Sequence, residues 1–272
     1  MNNFSIKNVL KLSKFDIKNN RKSIIGWTIA IFAIMFLYMI LFTSIQEMAK
    51  VEMESLPEEL LQFMGMEDFS VMDTFIGYYS MIYNLIMIAI CIFASTFTAR
   101  ILINEEKNKS IEFLYSLPVS RVEIYLSKLI TAFFAVTLVV IAGGISTAIC
   151  GMINGGETFI VEDFMQILRY TSFTAYFFMG VAIMLAGIVG NTGVTTISAL
   201  IVVASYLFGY LSKLLVTKAQ WLEYLSPLTL FSPNNALVLS SKTVSNMIVY
   251  YIIMIAFIVI GAIVYKNRDY NI

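Results

Sequence analysis

The chain has 272 residues, 59% of them hydrophobic and only 13% charged, with a mean hydropathy of +0.81 and no net charge. A water-soluble domain carries about 45–50% apolar and about 25% charged residues, so this composition excludes an ordinary soluble protein. There is no histidine, and Cys91 and Cys150 both sit in apolar runs, which leaves a zinc centre or a disulfide framework without support.

Residues 4–22 open the chain as an expected helix lying along a membrane surface. Ile6, Val9, Leu10 and Ile17 share one helical face, Phe15 lies near its edge, and lysines cover the remainder. The alternative is a merely charged anchor for the span that follows. Crossing a hydrocarbon core about 30 Å thick takes roughly 20 apolar residues. Six stretches free of Asp, Glu, Lys and Arg meet that length: 24–45, 74–99, 129–153, 170–189, 194–212 and 247–265. The first is too long for a signal-peptide core and lacks an Ala-x-Ala-like cleavage site, so it is expected to be retained. The fold class is therefore an all-α membrane protein with six transmembrane helices.

Between the first two spans, the loop 46–73 contains Ser55-Leu56-Pro57-Glu58, a Ser-x-x-Glu capping box that predicts a short helix ending near Gly65. The fourth and fifth spans are joined only by Gly190-Asn191-Thr192-Gly193, residues that tolerate positive φ, so a helical hairpin is expected there. The segment 213–246 is too short to span and too apolar to be solvated. Its two Ser-Pro pairs, Ser226-Pro227 and Ser232-Pro233, place a cap and a first helical residue twice. Re-entrant or interfacial helices packed on the bundle follow, because such backbone at membrane depth must be buried by protein.

Orientation comes from the basic residues. The N-terminal segment, the connection after the second span and the tail after the sixth together hold 13 of the 18 Lys and Arg, whereas the loop 46–73 has eight acids against one lysine. Both termini are expected in the cytoplasm of a bacterial plasma membrane. The acidic surplus of that loop is explained by orientation, with cation binding as the alternative.

The connection between the second and third spans, about 104–121, carries Glu105-Glu106, then Ser110-Ile111-Glu112-Phe113-Leu114-Tyr115-Ser116-Leu117-Pro118-Val119-Ser120-Arg121. Ser110 can cap a two-turn helix bearing Ile111, Phe113 and Leu114, and Pro118 disfavours its continuation at Leu117. Ser120 and Glu123 form a second capping box, with Val119 and Ile124 as its hydrophobic staple. Exposed apolar groups on such a bracket ask for a partner protein.

This stretch resembles the coupling-helix region of type-2 ABC exporter permeases, nearest to the subfamily that includes exporters of antibiotics, peptides and sodium. The six spans, the amphipathic N-terminal helix and the re-entrant segment before the last span fit the same family. The resemblance implies that Ile111, Glu112, Phe113 and Leu114 sit in a groove of a cytosolic ABC ATPase. It further implies that Glu105 and Glu106 brace the elbow and that Arg121 pairs with an acid. Two ATPase subunits, carrying ATP and Mg, and a second permease copy or paralogue would complete the complex within the membrane lipids. No nucleic-acid partner and no cofactor on this chain are implied.

The chain has no Gly-x-x-x-x-Gly-Lys-Ser/Thr, and no glycine is followed by lysine, so it cannot hydrolyse ATP through a P-loop. Without histidine, metal-dependent and histidine-based hydrolysis are disfavoured. The absence of ionisable residues within the spans argues against a proton-coupled carrier. Sodium coupling through backbone carbonyls keeps a secondary carrier as the alternative, and a non-transporting scaffold is the third reading. Tyr78, Tyr79, Tyr83 and Asn84 in the second span, with Tyr206 and Tyr210 in the fifth, are candidates to line a substrate pathway. Aromatics near span ends are alternatively interfacial belt residues.

Overall fold

The computed structural model describes residues 4–52, 73–107, 119–215 and 219–267. The described residues form helices α1 (Ile6–Ile40), α2 (Phe42–Glu52), α3 (Phe75–Lys107), α4 (Arg121–Asn154), α5 (Val161–Val189) and α6 (Gly193–Leu214). A 3-10 turn at Gly156–Thr158 lies between α4 and α5, and a second at Gln220–Leu225, then α7 (Pro227–Leu230), α8 (Pro233–Leu237) and α9 (Ser241–Asn267), complete the order, with no strand among the described residues. Six of these helices, α1, α3, α4, α5, α6 and α9, are long and apolar enough to cross a membrane. In hydrocarbon only internally hydrogen-bonded backbone is viable, which is why every apolar run became a helix.

The first and last described helices have their outer ends at one end of the bundle: Ser5 meets the start of α4, and Arg121 meets Lys266 at the end of α9. We call this the near end and the opposite one the far end. The centre of the bundle is α3 and α5, each with 67% of its most apolar stretch buried, against 17–28% for α1, α6 and α9. Those three expose long apolar faces, such as Leu200, Leu207 and Leu211 on α6 and Ile252, Val259 and Ile263 on α9.

The N-terminal segment differs from expectation. Residues 6–22 are not a separate surface helix but the near half of α1, which runs unbroken for 35 residues. No proline or glycine occurs between Phe4 and Ser23, and Asn20 hydrogen-bonds the Asp16 carbonyl, so nothing there ends the helix. Ile6, Leu10 and Phe15 do remain exposed, whereas Val9, Ser13 and Asp16 face the protein. At its far end α1 stops at Ile40, five residues short of the expected span boundary, and the chain bends at Leu41 into α2. The Ser55–Glu58 capping box lies outside the described residues.

α1 and α4 pack in parallel along their whole length. Ser146 Oγ donates to the Phe32 carbonyl (3.0 Å), Cys150 Sγ to Phe36 (3.8 Å) and Asn154 Nδ2 to Ile40 (3.0 Å). Steps of four residues on both helices keep these groups on one facing stripe. Cys150, read from sequence as a small hydrophobe, is therefore also a rung of this ladder.

The turn after α5 follows the expected chemistry. Gly190 adopts φ 58°, the left-handed region, and its N–H bonds the Ala186 carbonyl, while Asn191 Oδ1 accepts from Gly193 N at 2.9 Å. α5 and α6 leave this turn as an antiparallel hairpin at the near end.

The re-entrant segment at the far end also forms. Ser226 caps α7 through its side chain, with Pro227 next, and Ser232 precedes Pro233 at the start of α8 without a side-chain cap. Phe231 buries its ring edge-on against Tyr170, Phe173 and Tyr250. Gln166 Nε2 donates to the Ala236 carbonyl at 2.7 Å, and Tyr250 donates to the Tyr224 carbonyl. The segment lies so close to α6 that a Cβ on Gly209 would collide with Thr229 Oγ1 and Ser226 Oγ.

Candidate functional site

The near end carries the candidate coupling region. α3 brings Asn104, Glu105 and Glu106 to its last turn, and α4 begins again at Arg121. Ser110, Ile111, Glu112, Phe113, Leu114 and Pro118 lie outside the described residues, as do the side chains of Glu105 and Glu106. What the structure does show is how the two ends of this connection are held.

Ser120 caps α4, and the anticipated box is complete: Glu123 N donates to Ser120 Oγ (3.2 Å), and Ser120 N donates to Glu123 Oε2 (2.6 Å). Val119 and Ile124 pack into one small apolar cluster at this end. Glu123 does more than cap. Its Oε1 accepts the Ser5 N–H at 2.7 Å and Asn8 Nδ2 at 3.3 Å, so one carboxylate closes the starts of both α4 and α1. The side chain is fully buried. Its carboxyl is held below the usual 4.5 chiefly by the Ser120 amide, then by Ser5 and by the Ser120 and Asn8 side chains, against the opposing effect of burial.

One to two turns deeper, Lys128 Nζ meets Asp16 Oδ1 at 2.9 Å, with both side chains at most 7% exposed. Ser13 and Thr131 share a hydroxyl contact of 3.1 Å beside them. Arg121 Nη1 donates to the Lys266 carbonyl at 3.1 Å, placing a guanidinium on the C-terminal turn of α9, where a helix favours a cation. Tyr125 OH donates to the Ile258 carbonyl at 2.8 Å, a second link from α4 to α9. On the incoming side, Arg100 Nη2 donates to Ser23 Oγ at 2.9 Å and lies over the Phe97 ring. The entry and exit of segment 108–118 are thus tied to α1 and α9 as well as to each other.

Sequence reasoning missed Asp16, Lys128 and the second role of Glu123. A signal existed: Asp16 is the only acid among the first 46 residues, and it lies on the Val9–Ser13–Asp16 face rather than among the lysines. Lys128 was visible only as the residue before a span.

The candidate pathway residues divide. Tyr78, Tyr79 and Tyr83 are completely buried between helices, so they are not belt residues facing lipid. Tyr78 OH donates to the Tyr38 carbonyl at 2.9 Å. Tyr79 and Tyr83 pair their rings at 5.2 Å, yet neither hydroxyl has a hydrogen-bond partner in the described structure. Tyr83 faces Thr171 and Ser172, whose own protons go to the Ile167 and Leu168 carbonyls. Thr174 Oγ1 and Ser198 Oγ are likewise buried without partners. Asn84, Tyr206 and Tyr210 are only half-buried, with Tyr206 on the edge of the same core. Four unsatisfied hydroxyls, two on α3 and one each on α5 and α6, are thus buried within the bundle. Buried polar groups are ordinarily paired, so these are unusual.

Among the described residues no cluster of Cys, Asp and Glu could hold a metal. The family model for the multidrug efflux system permease Rv1217c, C-terminal domain, matches residues 15–266. No curated protein matches the chain.

Proposed function

Since the chain belongs to the multidrug efflux permease family and is a multi-pass permease of the ABC-exporter type, we propose that ATP hydrolysed on a separate cytosolic subunit drives it. In this reading the near end faces the cytoplasm, in keeping with the basic residues gathered there. Segment 108–118 docks in the ATPase through Ile111, Glu112, Phe113 and Leu114, braced by Glu105, Glu106, Ser110, Pro118 and Arg121.

The observation that carries the proposal is the double tethering of that segment. A connection held only at its own two ends would pass a push to α3 and α4 alone. Here Glu123 and the Asp16–Lys128 pair pass it to α1, and Arg121 and Tyr125 pass it to α9. Glu105 and Glu106 add support. Carboxylates in the last turn of a helix oppose its macrodipole, so their position is not explained by the stability of α3.

Two permease copies, or this chain and a paralogue, with two ATPases would form the working exporter. ATP-bound and ATP-free ATPase must bind the permease differently for the cycle to move substrate. The unpaired hydroxyls of Tyr79 and Tyr83 would serve an amphipathic substrate whose polar groups complete them on passage, of the peptide, antibiotic or lipid-like class. The test is purification from the native host in mild detergent with mass spectrometry of stoichiometric partners. A co-purifying P-loop ATPase that is lost on Phe113→Asp supports the proposal. A monodisperse chain with no ATPase, together with uptake or efflux driven by an ion gradient alone, overturns it.

A further inference from the structure

One charge in the spanning helices has no use in the coupling scheme. Arg169 lies nine residues into α5, about 12 Å along its axis from the far end. No described residue gives its guanidinium a hydrogen bond or a carboxylate within 4 Å. Arg169 stands one residue before the charge-free stretch 170–189 and its side chain is exposed, which puts the cation at the headgroup edge of the span.

Arg169 borders a groove of about 590 Å³ between α5 and the start of α9. That volume is typical of small-molecule sites. The floor is Met165, Tyr170 and Met247, and the rim carries Val161 and Leu239, both exposed. Helical side chains tilt toward the helix N-terminus, which for α5 is the far end, so the arginine reaches outward along the groove toward headgroup level. Two acceptors stand on the same face. Glu162 is two turns nearer the far end, and Gln166 spends its amide N–H on Ala236 while its Oε1 stays without a partner among the described residues. Tyr170 donates its proton to the Thr243 carbonyl, leaving Arg169 as the donor facing the groove.

From the unpaired cation, the acceptors outward of it and the apolar floor and rim, we propose that this groove holds one phospholipid of the far leaflet. Its phosphate is clamped by Arg169 and its primary ammonium faces Glu162 and Gln166. The sign pattern selects the headgroup. A bare anion would meet the Glu162 carboxylate, whereas a zwitterion with phosphate inward and ammonium outward satisfies both ends. A guanidinium offers five N–H donors in a planar fork matched to phosphate oxygens. A primary ammonium has the N–H groups that carboxylate and amide oxygens require, which a quaternary one lacks. Acyl chains would lie over the exposed apolar face of α9, which carries Ile248, Ile252, Ile255 and Val259. The inference stands on the membrane-spanning fold and does not depend on ATP coupling.

Native mass spectrometry of the full chain, released from micelles titrated with phosphatidylethanolamine or phosphatidylglycerol, tests it. Wild type should retain one phosphatidylethanolamine that survives activation stripping the others, and Arg169→Gln should weaken that lipid about tenfold or more. Arg169→Lys should retain part of the affinity, and all variants should keep the wild-type melting temperature within a few degrees. Phosphatidylglycerol should bind less tightly than phosphatidylethanolamine, and Glu162→Gln should remove the preference. Equal lipid retention by Arg169→Gln would mean annular lipid only and overturn the proposal. Displacement of the lipid by excess inorganic phosphate would mean a phosphate site and overturn it also. No preference between the two lipids in wild type would refute the zwitterion assignment.

Discussion

Replacing Asp16 with leucine takes its carboxylate partner from the Lys128 ammonium, in a site where the lysine side chain is only 4% exposed. At 2.9 Å the pair interacts by about 6 kcal/mol with an effective dielectric constant of ~20. Much of that offsets the desolvation of both charges, so the pair's net worth is far smaller. Removing one partner is different, because the surviving buried charge loses its opposite charge while its desolvation stays, and losses of about 3–5 kcal/mol are expected. At roughly 2–4 °C per kcal/mol for domains of 150–250 residues, either Asp16→Leu or Lys128→Met should lower the melting temperature in detergent by about 6–20 °C. The double variant Asp16→Leu with Lys128→Met replaces the pair by apolar groups of similar volume and should recover most of the loss. Differential scanning fluorimetry on the four proteins closes the double-mutant cycle. Single variants within about 1 kcal/mol of wild type would show the pair to be solvated, as exposed ion pairs are, and would refute the reasoning. So would a double variant no better than the sum of the singles.

Three further outcomes follow from the geometry. Because Glu123 has a lowered carboxyl pKa in the folded state, its contribution is present above the ordinary 4.5 and lost as pH falls through the folded value. Thermal melts of wild type and Glu123→Gln should therefore differ most near neutral pH and converge in acid, and a constant difference would show that its charge is immaterial. Gly209→Val drives a branched side chain into Thr229 and Ser226. It should detach segment 220–237 at a cost of about 1–3 kcal/mol, read as faster proteolysis of that segment. Tyr83→Phe removes a buried hydroxyl that has no partner, so stability should hold or rise by up to about 1–3 kcal/mol while efflux of polar amphiphiles falls. Unchanged efflux would remove Tyr83 from the pathway.

The parts legible in the sequence were those fixed by local chemistry. Each of the six spans is set by about 20 apolar residues in a row. The 190–193 turn is set by glycine and asparagine, the starts of α7 and α8 by Ser-Pro, and the head of α4 by Ser120 and Glu123 three residues apart. What escaped is what joins distant segments. The α1–α4 contacts link residues 112–118 positions apart, and nothing within either helix announces them. A serine, cysteine or asparagine in an apolar run reads as neutral filler until a second helix supplies a carbonyl. The same ignorance explains the misplaced N-terminal helix. Its apolar stripe is divided in the structure, with Ile6 and Leu10 exposed but Val9 buried and Ile17 packed against the core. Only the partner face, through Asp16 and Ser13, shows that this helix is continuous with a span and anchored to α4. That anchoring carries a mechanical consequence. With Glu123 and Lys128 bound to the near half of α1, a displacement arriving at residue 120 moves two parallel helices as one body. The Ser146–Asn154 ladder, at about 0.6 kcal/mol per interhelical hydrogen bond, resists their sliding along the rest of their length.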